Sequence, residues 1–342
     1  MTPDFSAGSS AKILHILYDF QLACCVNVAA NLGIAELLFE GPQTVSALAL
    51  ATSSDPDALR RVLKVLAAER IFKETQDDLF VYTNEAAALH GDTEGSIKHY
   101  LLAIMGEHYP AFGNLLHSVR TGQTAFDHHY KMDVWNYYSQ HPSTAANFNK
   151  AMAGLTQYYV REIIPAYNFG AFRSVIDIGG GNGALLFSIL KANPHLKGVI
   201  FDAPHVVSAT DHLIRSAGLE ERCVTAAGDF FEEIPSGIDC YLLKYILHDW
   251  SDIQCAQILR NCASAMYPGA RLLIFEAVIP SGNAYHEGKY TDVTMLVATK
   301  GRERTEDEFH GLLSAAGLEY VRTIPLSLNE ISIVEAVKPA GG

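Results

Sequence analysis

The pattern of apolar and polar positions changes near residue 170. Up to that point apolar residues recur at helical spacing almost throughout. Beyond it, short β-branched runs alternate with helical segments that begin near Gly183, Val206, Ser251 and Thr305. This alternation predicts an α/β fold with a mostly parallel, doubly wound sheet. The predicted strands are Ser174–Ile178, Gly198–Asp202, Cys223–Ala227, Ile238–Leu243, Arg271–Val278, Tyr320–Pro325 and Ile331–Val337.

The first hundred residues predict a winged helix-turn-helix. Residues 11–39 form a long apolar helical stretch that we expect to break near Gly33. It is apolar on too many faces for a lone surface helix, so we expect it to meet another element or another subunit. Asp55 before Pro56 fits an N-cap followed by proline at the first helical position. A short hairpin across residues 76–78 follows as the wing.

A winged helix can bind DNA or serve as a scaffold for dimerisation. Residues 1–100 carry seven Lys or Arg and thirteen Asp or Glu, a balance of −6, and the whole chain carries −13. Phosphate binding needs the opposite sign. The negative charge therefore favours a dimerisation scaffold with no nucleic-acid partner. A winged-helix transcriptional regulator that senses a ligand is the alternative.

The composition also indicates the cellular compartment and whether a metal is bound. The 342 residues contain six cysteines without a Cys-x-x-Cys pair and fourteen scattered histidines, so we expect reduced thiols, a cytoplasmic location and no metal site. No uncharged apolar run reaches the length of a membrane span, and residues 1–10 lack the features of a signal peptide. We therefore expect no contact with a membrane.

A glycine-rich loop between a predicted strand and helix indicates a nucleotide-like cofactor. Gly179-x-Gly181-x-x-Ala184 satisfies the tolerant dinucleotide fingerprint, so a nicotinamide dehydrogenase is one alternative. The preceding Asp177 would oppose a pyrophosphate but suits the ammonium of S-adenosylmethionine. The loop and this carboxylate together favour the sulfonium cofactor.

Two further carboxylates follow the next strands. Asp202 closes the second strand, where an acid can accept the ribose hydroxyls, and Asp229 with Phe230 follows the third, where they could hold and cover the adenine. Because the carboxyl ends of parallel strands border one crevice, these acids should surround the same ligand. The alternative is that Asp177 and Asp229 only cap loops.

The sequence resembles the small-molecule O-methyltransferase family, which includes caffeate and hydroxyindole methyltransferases. Members join a dimerising winged helix to a Rossmann-like S-adenosylmethionine-binding domain. The resemblance covers nearly the whole chain and rests on VNVAANLGIAELL, ALRRVLKVLAAERIF, FNKAM (148–152), DIGGGNG, FDAPHVV (201–207), GDFFEEIP (228–235), LKYILHDWSD (243–252), FEAVIP (275–280) and GRERT (301–305). It implies a homodimer with a dimerisation domain at 1–95, a helical linker at 96–169 and a methyltransferase domain at 170–342.

The resemblance also implies roles for single residues. His248 would be the general base, with Glu276 and Glu303 holding its imidazole. The cofactor, which leaves as S-adenosylhomocysteine, would contact Gly179, Asp202, Asp229, Phe230 and Lys244, beside Asp177 and Gly181 from the loop. A flat aromatic acceptor would meet Phe148, Met152, Asp249 and Met295, although Met and Phe stripes are more often core.

The chemistry of transfer to a phenol explains the need for a base. A phenol has a pKa of about 10 and a free histidine of about 6.5, so complete proton transfer before attack would cost about 5 kcal/mol. A positioned base and aligned reacting atoms reduce this barrier. The segment 298–302 is one residue shorter than in plant members, so acceptor identity does not carry over. N-methylation and use of the cofactor without methyl transfer remain alternatives.

Overall fold

In the computed structural model, which describes residues 7–91, 93, 95–327 and 331–340, the chain divides into two units with separate cores. The first unit comprises residues 1–109 and 146–154, and the second comprises residues 110–145 and 155–342.

The first unit has the predicted winged-helix elements. Its helices are α1 (Ala7–Asn31), α2 (Ile34–Phe39), α3 (Val45–Ala51), α4 (Pro56–Ala68) and α5 (Lys98–Ala103), and its strands are β1 (Gln43–Thr44), β2 (Lys73–Glu74) and β3 (Leu79–Val81). The three strands form an antiparallel sheet in the order β1-β3-β2. Gly33 adopts the left-handed conformation at the predicted break, and Asp55 accepts a hydrogen bond from the amide of Ala58 as the predicted N-cap.

Helix α1 packs on α4 and α5 and still exposes many large apolar side chains. Those from residue 13 to residue 20 are Ile13, Leu14, Ile16, Leu17, Tyr18 and Phe20. By length and composition alone, the segment Ser10–Asn31 could also cross a membrane, which is weak evidence because helices that pack against protein pass the same test. No such segment was expected from the sequence, since Asp19 interrupts the uncharged run, but the mean hydropathy of the helix remains 1.5.

The second unit contains the predicted doubly wound sheet. The helices from residue 109 onward are α6 (Tyr109–Phe112), α7 (Leu115–Thr121), α8 (Ala125–Tyr130), α9 (Val134–Gln140), α10 (Pro142–Ala166), α11 (Ala184–Ala192), α12 (Pro204–Ser216), α13 (Asp252–Ala265), α14 (Gly288–Ala298) and α15 (Glu306–Ala315). The strands are β4 (Ser174–Ile178), β5 (Lys197–Asp202), β6 (Cys223–Ala227), β7 (Cys240–Lys244), β8 (Arg271–Glu276), β9 (Glu319–Pro325) and β10 (Ser332–Val337).

These strands pair in the order β6-β5-β4-β7-β8-β10-β9, and β4 to β8 run parallel. Strand β10 alone is antiparallel to both of its neighbours. Alternate side chains of β4 enter two different cores, since Ile176 packs with α13 and α15 whereas Val175 packs with α11. The expected mostly parallel, doubly wound sheet is confirmed.

Most predicted boundaries agree within two residues, and both capping boxes form, at Ser251 with Gln254 and at Thr305 with Glu308. The fourth strand begins two residues later than predicted. The fifth strand ends at Glu276, two residues earlier than predicted, and Val278 instead makes an isolated parallel bridge to Arg304. Helix α14 was not predicted, since no side-chain hydrogen bond caps its start.

Candidate active site

The site lies at the edge of the sheet where the parallel strands end, here called the carboxyl edge. Strand β4 ends at Ile178, β5 at Asp202, β7 at Lys244 and β8 at Glu276. The register pairs Asp202 with the last residue of β6. The predicted cofactor and catalytic residues of the second unit therefore lie at or just beyond this one edge.

The glycine loop follows β4 with a left-handed backbone at Gly179, Gly181 and Gly183. A Cβ on Gly179 would lie 2.4 Å from Cδ1 of Ile246, so a side chain there would displace that methyl group and also strain the left-handed backbone. A Cβ on Gly181 would meet nothing within 4 Å. The loop thus packs on protein at its first glycine and presents open backbone at its second, which is where a ligand could approach.

Asp202 fixes the loop and remains able to accept further hydrogen bonds. Its two carboxylate oxygens accept from the amides of Gly181, at 2.8 Å, and Ala203, at 2.7 Å. Each oxygen keeps a lone pair for a hydroxyl group. Asp229 is exposed, and its carboxylate accepts a hydrogen bond from the amide of Phe231. It therefore caps its loop, which was the alternative considered for this residue in the sequence.

Asp177 and Lys244 form the charged floor beside the glycine loop. Burial raises the pKa of Asp177 to about 7, although the charge of Lys244 opposes the rise. Burial lowers the pKa of Lys244 to about 8, against the attraction of Asp177 and Glu276. A buried site with both signs of charge suits a ligand that carries an ammonium and a carboxylate.

The turn after β7 carries His248 and is held by the side chain of Glu276. One carboxylate oxygen, Oε1, accepts from the backbone amides of Ile246, Leu247 and His248 at 3.1, 2.6 and 3.2 Å. Glu276 is fully buried, and burial raises its pKa to about 7. This corrects the expectation that Glu276 holds the imidazole, because its oxygen is occupied by the backbone of the turn.

Glu303 is the glutamate that binds the imidazole. Its Oε1 lies 2.7 Å from Nδ1 of His248, and both side chains are buried. Its own amide donates to Asp292 at 2.9 Å, which fixes the loop before α15. Within the part of the chain that the structure describes, the Oε2 atoms of Glu303 and Glu276 are buried without a hydrogen-bond partner.

The two ring nitrogens of His248 have different surroundings. Nδ1 is bound by Glu303, whereas Nε2 lies 3.8 Å from Oδ1 of Asp249, too far for a hydrogen bond. Burial lowers the pKa of His248, but the charges of Glu303 and Asp249 and the Glu303 hydrogen bond outweigh it and raise the value to about 10. Nε2 is therefore the nitrogen that can face a substrate, and the imidazole is a strong base.

Sequence reasoning missed Arg304, the second support of this turn. Its guanidinium, fully buried, donates to the carbonyls of Leu247 and Trp250 at 3.0 and 2.9 Å, on either side of His248. It also donates to the carboxylate of Asp252. The adjacent Glu303 and Arg304 of the GRERT segment were the available signal. If both are buried, as the structure shows, the arginine needs hydrogen-bond acceptors nearby.

Gly301 was also missed. A Cβ there would lie 1.9 Å from the carbonyl oxygen of His248 and 2.5 Å from the carbonyl carbon of Asp249. The loop before α15 therefore lies directly against the backbone of His248 and Asp249. The one indication in the sequence was that Gly301 lies two residues before Glu303, which was expected near His248.

The candidate acceptor residues are divided between the two units. Met295 lies on α14 in the second unit, is buried, and its sulfur lies 3.6 Å from Oγ1 of Thr299. Phe148 and Met152 lie on the part of α10 that belongs to the first unit, and both are half-buried. Asp249 adjoins His248, and burial raises its pKa to about 6.

Metal ligands do not gather at this site. Over the described ranges, the structure places no group of three or more His, Cys, Asp or Glu side chains where they could hold a metal ion. All six cysteines are free thiols.

Comparison with known proteins decides the family. The profile of the O-methyltransferase domain matches residues 112–319, and that of the O-methyltransferase dimerisation domain matches residues 14–89. The chain belongs to the O-methyltransferase family. The resemblance inferred from the sequence is confirmed.

Several known methyltransferases match this chain along most of its length. The phenazine O-methyltransferase PhzM of Lysobacter antibioticus is 39% identical over 98% of this chain and 99% of that protein. The 8-amino-8-demethylriboflavin N,N-dimethyltransferase of Streptomyces davaonensis is 34% identical over 90% of this chain and 89% of its own length. The structure of CalO1, described as a methyltransferase in calicheamicin biosynthesis bound to SAH, matches with a TM-score of 0.84 and 32% identity, over 98% of this chain and all of that one.

Proposed function

We propose that this methyltransferase transfers the methyl group of S-adenosylmethionine to a phenolic or enolic hydroxyl of an aromatic specialised metabolite, with His248 as general base. The observation that carries the proposal is the pairing of His248 Nδ1 with Glu303, which leaves Nε2 for the acceptor. The names of relatives, which include a phenazine O-methyltransferase, support this class of acceptor.

The residues at the carboxyl edge fit the cofactor. We propose that it is held by Asp177, Gly179, Gly181, Asp202, Asp229, Phe230 and Lys244. Open backbone at Gly181, free lone pairs on Asp202 and the opposite charges of the buried Asp177 and Lys244 support this assignment. When bound, the cofactor supplies an electrophilic methyl group on a sulfonium and leaves as a neutral thioether.

His248 Nε2 would take the proton from the acceptor hydroxyl as the oxygen attacks. Because the pKa of His248 is raised to about 10, it matches the pKa of about 10 of an ordinary phenol, and the proton transfer itself becomes nearly neutral in free energy. Glu303 stabilises the imidazolium that forms and keeps Nδ1 protonated. At pH 7 the imidazole must first lose its own proton, so part of the barrier moves to that step.

The acceptor pocket and the assembly complete the proposal. We propose that Phe148, Met152, Asp249 and Met295 contact a flat aromatic acceptor. We also propose a homodimer that forms through α1, with a dimerisation domain at 1–95, a linker at 96–169 and a methyltransferase domain at 170–342. The apolar face of α1 and the match to the dimerisation domain support the homodimer. Free cysteines support a cytoplasmic location.

The proposal is tested by incubating the protein with labelled S-adenosylmethionine and a panel of phenols, aminophenols and anilines. We expect products that gain one methyl group on oxygen, identified by mass spectrometry and NMR. If the products are methylated only on nitrogen, the acceptor atom is nitrogen and not the proposed hydroxyl oxygen. Cofactor binding without transfer to any hydroxyl would contradict the proposed reaction.

Intrinsic fluorescence tests the cofactor separately. The chain has two tryptophans, Trp135 and Trp250, whose rings stack at 6.4 Å, and Trp250 also contacts Phe230 edge to face. S-adenosylhomocysteine should therefore change the emission, and a nicotinamide dinucleotide should not. Salt-dependent binding to duplex DNA at moderate ionic strength would instead support the regulator.

A further inference from the structure

Tyr245 has a backbone conformation that tyrosine rarely adopts. It follows β7 directly, and its φ of 53° is left-handed, a region that non-glycine residues enter only when the surroundings force it. Its amide donates to the carbonyl of Phe275 at 3.1 Å, so the strained residue is anchored to β8. Such strain concentrates at functional sites, and this one lies three residues before His248.

The ring of Tyr245 lies against the imidazole of His248. The ring centroids are 5.0 Å apart and the planes differ by 11°, which is a parallel stack. Tyr159 meets the Tyr245 ring at 74° with centroids 6.0 Å apart, and the ammonium of Lys244 lies 4.3 Å from the ring centroid. The ring is therefore packed among other groups and is not free to swing away.

The contacts of His248 with Glu303 and Tyr245 restrain different motions. The hydrogen bond to Glu303 acts on Nδ1 and fixes the position of one edge of the imidazole. A single hydrogen bond still allows the ring to tilt about that contact, and a tilt would move Nε2 away from the acceptor oxygen. An aromatic ring parallel to the imidazole blocks this tilt on one face.

We propose that Tyr245 is a positioning residue for His248: its left-handed backbone places the aromatic ring against the imidazole face and keeps Nε2 directed at the acceptor. This inference rests on the proposed function, in which His248 is the base. The stack and not the phenolic hydroxyl performs the role. Misplacing a catalytic group by about 1 Å can slow a reaction about 100-fold. Methyl transfer should therefore be slower when the imidazole is less well restrained.

Three substitutions of Tyr245 separate the stack from the hydroxyl and from the fold. Tyr245→Phe keeps the ring and removes the hydroxyl, so it is the matched control. Tyr245→Leu removes the ring and keeps the strained backbone. Tyr245→Gly removes the ring and relieves the strain, because glycine adopts this φ readily.

We expect Tyr245→Phe to retain the wild-type kcat. Tyr245→Leu and Tyr245→Gly should each lower kcat by about 10- to 100-fold, with an unchanged Kd for S-adenosylhomocysteine by tryptophan fluorescence. The glycine variant should melt no lower than the leucine variant and still be slow. A structural role alone would not slow a variant that keeps its melting temperature and cofactor affinity.

A double variant tests whether Tyr245 acts through His248. If it does, His248→Ala combined with Tyr245→Leu should be no slower than His248→Ala alone, because residues that act as a unit are not additive. Multiplied losses, a wild-type kcat in the leucine variant, or equal losses in the phenylalanine and leucine variants would each overturn the proposal. If His248→Ala itself transfers methyl at the wild-type rate, the proposed function fails first, and the two failures are distinguishable.

Discussion

Nδ1 of His248 lies 2.7 Å from Oε1 of Glu303, and both side chains are buried in the second unit. The contact orients the imidazole and, together with Asp249, raises its pKa to about 10 against the effect of burial. A base of this strength is mostly protonated at neutral pH. The pairing therefore determines the direction of Nε2 and, in the proposed mechanism, the pH at which His248 can act as the base.

The first prediction concerns pH. Since the active form is the neutral imidazole, kcat/KM should rise about tenfold per pH unit from neutrality and level off near pH 10. The raised pKa also stabilises the fold: this contribution is complete below the unfolded value of about 6.5 and is lost as the pH rises through about 10. Initial rates across this pH range give the profile.

Glu303→Gln distinguishes His248 from ionisation of the acceptor, which also occurs near pH 10 for phenols. The variant removes the main charge that raises the pKa of His248, so the profile should level off at a lower pH and at a lower rate. Glu319→Gln, which removes an exposed charge at the start of β9, is the control. If the profiles of all three proteins level off at the same pH, His248 is not the titrating group.

The second prediction concerns Gly301. A Cβ at this position would lie 1.9 Å from the His248 carbonyl oxygen, where ordinary contact begins at 3.4 Å, so Gly301→Ala must move the turn by more than 1 Å. We expect kcat to fall about 100-fold. Gly311→Ala on α15 is the control, since its Cβ meets nothing within 4 Å, and it should keep full activity with about 0.5–1 kcal/mol more stability. Full activity in the Gly301 variant would show that the turn tolerates displacement.

The third prediction concerns Arg304. Replacing it with methionine removes the charged donor of the Leu247 and Trp250 carbonyls and leaves them the weak thiol donor of Cys255, which should lower the free energy of unfolding by about 2–3 kcal/mol. Asp252→Asn removes only the charge of the half-exposed carboxylate that pairs with Arg304. It should change the free energy of unfolding by less than about 1 kcal/mol. Denaturant unfolding measures both. Equal effects would mean that the ion pair, and not the carbonyl contacts, provides the stability.

The fourth prediction concerns the homodimer. Ile13 and Leu17 lie four residues apart on α1 and are 60% and 54% exposed, so a double replacement by glutamate puts two charges on the proposed interface. Light scattering should give a dimer for the wild type and a monomer for this variant. Ile253→Glu, at a residue 82% exposed in the second unit, should remain dimeric. A monomeric wild type would contradict the interface.

The fold was largely predictable because its signals are local. The break at Gly33, the N-cap at Asp55 and both capping boxes depend on residues a few positions apart, and the structure contains each of them. Helix α14 escaped prediction because its N-cap residue is Glu287, whose side chain makes no capping hydrogen bond.

The supports of the candidate base were less predictable because they depend on contacts between distant segments. Glu276 was expected at the imidazole, but three amides of the turn lie closer to its carboxylate in the fold. Arg304 and Gly301 act on a turn more than fifty residues earlier in the chain. The φ of Tyr245 has no signature in its sequence neighbourhood, since tyrosine does not favour this region.

The rate of methyl transfer by His248→Ala shows whether His248 is the general base. Labelled S-adenosylmethionine and a phenolic acceptor are used under single-turnover conditions, with His212→Ala, an exposed histidine on α12, as control. We expect His248→Ala to bind S-adenosylhomocysteine normally and to transfer methyl about 10²- to 10⁴-fold more slowly, while the control keeps the wild-type rate. A His248→Ala variant that transfers methyl to oxygen at the wild-type rate would contradict this expectation.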